Sequence, residues 1–238
     1  MAGWFILGYV LLTLAAGGAI AYVIGAGSVL TFFALGQGDY LAILPQRMFS
    51  QLDVFAFLAM PLFILTGELM NRGGIAQALI DFSMSIVGRL KGGLGHVNIL
   101  TSVFFAGISG SAAADAAALS NTLVPQMQRQ GYSLNYAAAV TAASSIIGPI
   151  IPPSIILIFY GALMNVPIAA LFAAGVLPGL MLAGVLIIVN GVYAHVQDHP
   201  GGKGADLPPF GPSFRKALPA LLLPIIILCG VLFGFTTP

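Results

Sequence analysis

Residues 105–121 read FAGISGSAAADAAALSN. The flanking sequence is apolar enough to live in lipid, yet Ser109-Gly110-Ser111 interrupts it and Asp115 follows closely. Residues 94–127 total 34, which the Ser-Gly-Ser divides into two arms of about 14 to 16. A helix that crosses a bilayer needs roughly 20 residues, so each arm falls short of a span. Two half-length arms meeting at a Ser/Gly tip predict a re-entrant helical hairpin. Broken backbone at membrane depth is tolerated only where protein or a water-filled cavity surrounds it, so the tip is expected to face a site. There the first arm ends in unpaired carbonyls and the second begins with free N–H groups. Asp115 lies in the first turn of the second arm, where the positive end of the helix dipole favours a carboxylate. Two roles stay open for it: dipole partner at a helix start, or contact with a coordinated cation or its ligands.

Composition agrees with a lipid environment. Of 238 residues, 59% are hydrophobic and 6% charged, with a mean hydropathy of +1.03. A soluble domain carries about 25% charged residues, and so few cannot cover a water-exposed surface. The 30 Gly and 15 Pro fit membrane helices, where neighbouring helices re-satisfy freed backbone groups. Eight Lys/Arg against seven Asp/Glu exclude a nucleic-acid surface. Cys229 alone excludes a disulfide framework and a thiolate metal site. The N-terminus lacks the basic region and cleavage site of a secretory signal, so the first apolar segment is expected to stay. The fold class is all-α, a polytopic membrane protein.

Along the chain, residues 5–38 carry no charge and are divided by Gly17-Gly18. They read as one long bent helix or as a helix plus a partial one. Asp39, Pro45 and Arg47 mark an aqueous turn. An apolar helix is expected from about Met48 to Met70, with Asp53 and Glu68 near its ends and Asn71-Arg72-Gly73-Gly74 stopping it. In residues 75–91, Ile75, Leu79, Phe82, Ile86 and Leu90 recur at helical spacing, which predicts an amphipathic helix along the membrane surface. The hairpin at 92–128 follows, then an interrupted apolar stretch at 133–163 and a span over roughly Ile168–Ala194. HVQDHPGGKGADLPPFG (195–211) is polar and rich in Gly and Pro, and places a loop at 195–213. A last span is expected from about Ala217 to Phe235. Three parts result: scaffold helices with the interfacial helix at 1–91, a transport part at 92–163, and further scaffold at 164–238. If 92–128 enters and returns, and 133–163 and 168–194 each cross, Arg72, Arg89, Lys91, Arg129, Lys203, Arg215 and Lys216 share one side, which the positive-inside rule makes cytoplasmic.

The second interruption, SSIIGPIIPPS (144–154), works through proline. Pro149, Pro152 and Pro153 have no N–H, so the carbonyls of Ser145, Gly148 and Pro149 would lose their i+4 donors in a continuous helix. Freed carbonyl oxygens suit a hard cation such as Na⁺, and unwound segments near the bilayer midplane are how secondary transporters hold coupling ions. One proline kink alone is common in membrane helices. Two broken segments in succession, each with serines at the break, favour a site.

The other polar residues have plainer readings. Glu68, beside Asn71-Arg72, suits an interfacial pair, and Asp53 reads the same way near the opposite face. His96 begins an arm at the interface, His195 and His199 belong to the polar loop, and none has a metal-ligand partner at useful spacing. Gly107-Ile108-Ser109-Gly110 matches the Gly-x-Ser-Gly nucleophile setting of rhomboid-type intramembrane proteases. Such an enzyme needs a histidine base within hydrogen-bond reach of the serine, and the downstream histidines sit in a polar loop at the wrong depth. The chain is therefore not read as an enzyme.

Four blocks in order carry a resemblance: RMFSQLDVFAFLAMPLFILTGELMNRGGIA (47–76), FFAGISGSAAADAAAL (104–119), AAAVTAASSIIGPIIPPSIILIFYGAL (137–163) and AALFAAGVLPGLM (169–181). Together they resemble the large membrane subunit of tripartite ATP-independent periplasmic (TRAP) transporters, the DctM/SiaM-like family. The resemblance implies half of an inverted-repeat, elevator-type, sodium-coupled importer of organic acids such as a C4-dicarboxylate or a sialic acid. It implies a bacterial cytoplasmic (inner) membrane location, a small DctQ-like membrane subunit and a periplasmic DctP-like solute-binding protein as partners, and no cofactor beyond Na⁺ as coupling ion. Ser109, Gly110 and Ser111 would form the hairpin tip, and Gly148, Ile151, Pro152 and Pro153 the facing unwound helix of one sodium site, with Asp115 and Ser145 beside them. Two departures stand out. Family members often place another hydroxyl residue after the Ser-Gly-Ser, where this chain has Ala112-Ala113. The family's large subunit is also nearly twice this length, so the chain is expected to be the N-terminal half, needing a C-terminal half to complete its site. The alternatives are an ion-coupled carboxylate permease without a binding protein, and a non-transporting membrane fragment.

Overall fold

The computed structural model describes residues 2–52, 56–201 and 207–235. Among them are eleven α-helices, one short 3-10 helix and no β-strand, an all-α architecture. The chain divides into two compact units, residues 1–54 and 55–238.

In the first unit, α1 (Ala2–Ala15) and α2 (Ile20–Ala34) pack side by side. The uncharged stretch is thus two helices, because Gly17 adopts the left-handed φ of +82° that glycine takes without steric cost. A 3-10 turn at Gly38–Ile43 leads into α3 (Leu44–Leu52). The aqueous turn expected at Asp39–Arg47 is therefore shorter, and the helix starts four residues before Met48. Pro45 sits in its first turn, where an N–H would have no partner inside the helix. Asp53 lies outside the described residues.

The second unit is built around α6 (Gly93–Ser109), 14 of whose 17 residues are buried. A helix apolar on every side belongs in a core. α5 (Ile75–Val87) and α11 (Phe210–Leu232) cover one side, joined to it by Leu79, Phe82, Phe105, Ile108, Ala217 and Ala220. The rings of Phe104, Phe210 and Phe214 lie 5.6, 5.7 and 5.6 Å from that of Phe82. The amphipathic helix thus turns its apolar stripe onto protein. Leu79, Ile80 and Phe82 are buried, whereas Ile86 and Leu90 at the far end of the expected stripe are exposed. α7 (Ala112–Arg129) packs on α6 and α8 (Leu134–Ser145), and its Leu119 and Leu123 share a cluster with Ile80 of α5 and Val97 of α6. α9 (Ile155–Met164), α10 (Ile168–Val196) and α4 (Ala56–Arg72) complete the unit.

The arms on either side of Gly110 have 17 and 18 residues, longer than the 14 to 16 expected, because α7 continues through Pro125 to Arg129. α10 continues to Val196, which puts His195 in its last turn. α11 begins at Phe210, seven residues before Ala217, so the connection is 197–209 and not 195–213. Pro209, extended at φ −66° and ψ 138°, caps α11, and Pro tolerates the entry to a helix better than its interior.

α10 and Phe210–Val231 of α11 are long and apolar enough to cross a membrane, and only 17% of each apolar window is buried. A core helix of a soluble protein would be mostly covered. On α10, Leu177, Met181, Ile188 and Val192 are all more than 60% exposed, a surface suited to lipid.

A buried polar ladder joins α6 to α8. Asn98 Nδ2 donates to Thr141 Oγ1 at 2.7 Å, Ser144 Oγ donates to Asn98 Oδ1 at 3.0 Å, and Ser102 Oγ donates to Ser144 Oγ at 2.9 Å. All four side chains are at most 2% exposed. Side-chain hydrogen bonds between membrane helices contribute roughly 0.6–2 kcal/mol each. Thr141→Val keeps the shape but leaves Asn98 Nδ2 without its acceptor, and is expected to cost about 1–2 kcal/mol. Thr141→Ser is expected to hold near wild type. Unfolding in detergent–denaturant titrations checks this, and a Val variant as stable as wild type would show that the ladder holds nothing together.

Candidate functional site between two helix breaks

The first break is a two-residue turn. Gly110 takes φ +57° and closes α6 by donating its N–H to Ala106 O at 3.1 Å. Ser111 is extended and caps α7, its hydroxyl accepting from Ala114 N. Ser109 Oγ accepts from Ser111 N at 3.2 Å and donates to Asp115 Oδ1. The tip thus folds back on itself and holds one carboxylate oxygen in place. Asp115 is fully buried, and its second oxygen, Oδ2, has no hydrogen-bond partner among the described residues.

The second break spans 146–154. α8 ends at Ser145, and the next residues tighten into i→i+3 bonds. Ile147 N donates to Ser144 O at 3.0 Å and Gly148 N to Ser145 O at 3.1 Å. The Ser145 carbonyl is therefore occupied, contrary to expectation, because the tighter turn supplies a donor one residue earlier than Pro149 would have. The Pro149 carbonyl is also occupied, accepting from Ser154 Oγ at 2.6 Å, while the same hydroxyl accepts from Leu157 N and caps α9. Of the three carbonyls, that of Gly148 accepts no hydrogen bond among the described residues. Ser145 Oγ is turned away, donating to Thr141 O at 2.7 Å.

The two breaks meet. A Cβ on Gly148 would lie 2.5 Å from Asp115 Oδ2, and one on Gly110 would lie 2.6 Å from Pro153 O. Only hydrogen fits at either position, so the carboxylate is pressed against the backbone of the second break. Pro152 and Pro153 are joined by a cis peptide. Pro152 O lies beside Gly107, and the Ile151 side chain fills the space that a Cβ on Gly179 would take. Ser109, Gly110, Ser111, Asp115, Gly148 and Pro153 thus come together, whereas Ser145 and Ile151 point into packing.

Beside the tip lies a cavity of about 510 Å³ lined by Ile64, Gly67, Glu68, Phe105, Ser109, Ser111, Ala114 and Ile155. The contribution of α4 was not anticipated: Glu68 read as an interfacial group, yet it lines this cavity. Gly67 packs on the backbone of Ile108 and Ser109, and a Gly-Glu pair inside an apolar helix is the signal that could have pointed there. Ser154 was also missed as a structural element, although a serine directly before an apolar run marks a helix start. His96, expected at the interface, is 5% exposed.

Comparison with known proteins identifies the family of the chain. Residues 7–238 match the family model described as the tripartite ATP-independent periplasmic transporter, DctM component. The chain is similar to the uncharacterized protein YgiK of Salmonella typhimurium, 42% identical over 94% of this chain and 52% of the relative. It is similar to the sialic acid TRAP transporter large permease protein SiaM of Vibrio cholerae, 39% identical over 88% of this chain and 49% of the relative. It is also similar to the 2,3-diketo-L-gulonate TRAP transporter large permease protein YiaN of Escherichia coli, 38% identical over 100% of this chain and 56% of the relative. The chain spans about half the length of these curated relatives. The chain belongs to the DctM family of TRAP-transporter large permeases.

Proposed function

We propose that this chain supplies the first cation site of a sodium-coupled, binding-protein-dependent importer of organic acids, working by an elevator mechanism in the bacterial inner membrane. The observation that carries the reading is the buried Asp115 carboxylate. One oxygen is fixed by Ser109, and the other is unpartnered against Gly148 of the facing break. A buried carboxylate is costly unless a cation or donors meet it. Na⁺ next to Oδ2, with hydroxyl and carbonyl oxygens from the two breaks around it, meets that need with oxygen ligands, which hard cations prefer.

The cavity beside the tip supports coupling to an acid. Ser109 and Ser111 of the tip line it, so an acid held there would sit beside the proposed cation and share its charge. Sialic acid and diketogulonate, the cargoes in two relatives' names, are both organic acids, and a C4-dicarboxylate is of the same class. The polar ladder between α6 and α8 supports movement of the two breaks as one body. A small DctQ-like membrane subunit, a periplasmic DctP-like binding protein and a C-terminal half complete the proposed assembly.

Uptake into proteoliposomes, with the permease assembled at full length alongside its partners, tests this. Asp115→Asn is expected to lower sodium-stimulated uptake at least about tenfold, the equivalent of one charge-assisted interaction, with little change in the gel-filtration profile. Ser109→Ala combined with Ser111→Ala should raise the sodium concentration for half-maximal uptake more than it lowers expression. An unchanged sodium response in both variants would remove the proposal.

Gly148→Ala provides a separate check, because its Cβ would displace the Asp115 carboxylate. It should abolish uptake, while Gly184→Ala, where a Cβ meets nothing within 4 Å, should leave uptake as in wild type. Equal uptake by the two would mean that the breaks do not need to touch.

A further inference from the structure

At the opposite end of α6, roughly 26 Å from the tip by helix rise, lies a second polar cavity of about 740 Å³. Arg89 and Lys91 of the α5–α6 turn, His96 of α6, His195 of α10, and Asp198 and His199 of the following loop line it. All three histidines of the chain are there.

The wall is held by bonds from several elements. Lys91 Nζ pairs with Asp198 Oδ1, and this contact holds the Asp198 carboxyl below its usual range. Gly92 N donates to Pro200 O at 3.1 Å, and Tyr132 Oη donates to the same carbonyl at 3.0 Å. The His199 ring stands edge-on to Tyr132, Tyr136 and Tyr193, 4.3 Å from Tyr136 at the nearest.

Three features select an anion. With Lys91 committed to Asp198, Arg89 remains a permanent cation with no ion pair or hydrogen bond among the described residues. His96 is 5% exposed, and its Nδ1 has no hydrogen-bond partner. His195 Nδ1 lies 2.7 Å from Gly191 O; a carbonyl only accepts, so that nitrogen carries the proton, and Nε2 becomes a donor to an anion when the ring takes a second proton. A cation site does not fit: among the described residues no three of His, Cys, Asp and Glu are placed to hold a metal.

We propose that this cavity binds a phosphate group, with Arg89 at its mouth and His96 and His195 lining it. A tetrahedral oxyanion presents oxygens to these groups from separate directions, and a guanidinium recognises phosphate through its planar fork. The headgroup of an anionic lipid and free inorganic phosphate share this chemistry.

The test uses the full chain, delipidated in detergent. Native mass spectrometry compares retention of phosphatidylglycerol with that of phosphatidylcholine, and calorimetry titrates inorganic phosphate. Arg89→Gln and His195→Gln, both at exposed positions, are made singly and together, with Arg129→Gln as a cation removed elsewhere. Loss of a charge-assisted hydrogen bond should weaken binding at least about tenfold in the double variant and leave Arg129→Gln as wild type. Selective phosphatidylglycerol retention lost in the double variant identifies a lipid headgroup. Inorganic phosphate binding lost in the same variant identifies a soluble ligand. No binding of either probe by wild type, binding unchanged in the double variant, or an equal loss in Arg129→Gln overturns the proposal.

Discussion

A carboxylate removed from water needs a partner for each of its oxygens, and residues 55–238 are arranged around one that finds only half of this within the protein. Ser109 meets one Asp115 oxygen, and the other is held against a glycine that can offer no side chain. Removing either break would leave the acid without its surroundings. The tight turn at Gly110 sets where α7 starts, the start of α7 sets where Asp115 stands, and the unwinding after Ser145 brings Gly148 within touching distance. Caps and i→i+3 bonds hold the shape of each break, while Asp115 Oδ2 and the Gly148 carbonyl accept no hydrogen bond among the described residues.

The rest of the packing keeps these two points in register. α6 carries the tip at one end, and the Asn98–Thr141–Ser144–Ser102 ladder ties its middle to α8, the helix that runs into the second break. Ile99, Ala106, Ile147 and Ile151 continue that contact into the unwound segment, with Ala183 of α10 behind them. A polar ladder flanked by close apolar packing favours one relative height of two helices, because sliding by a turn would break every bond at once.

Much of this was legible in the sequence, and particular residues show why. The helix interruptions follow from Gly110, with Ser on both sides, and from three prolines within five residues, signals that depend on local backbone chemistry alone. The all-α class follows from composition. Helix ends were less legible: α11 begins at Phe210 and α10 runs through His195, because tertiary packing extends helices into sequence that reads as loop. The fate of individual carbonyls was not legible, since whether Ser145 O is free depends on a turn tightening by one residue. Nor was the place of Glu68, which depends on α4 lying against the tip, a non-local contact that no local pattern encodes.

The length of α10 has its own consequence. Its 29 residues extend roughly 43 Å, against a hydrocarbon thickness of about 30 Å. A rod so much longer than its medium leans, or projects its ends into the headgroup layer, or thickens the lipid around it. Each choice carries a modest elastic penalty that varies with acyl-chain length. The protein is thereby coupled to membrane thickness through a helix that contains neither break but packs against the second.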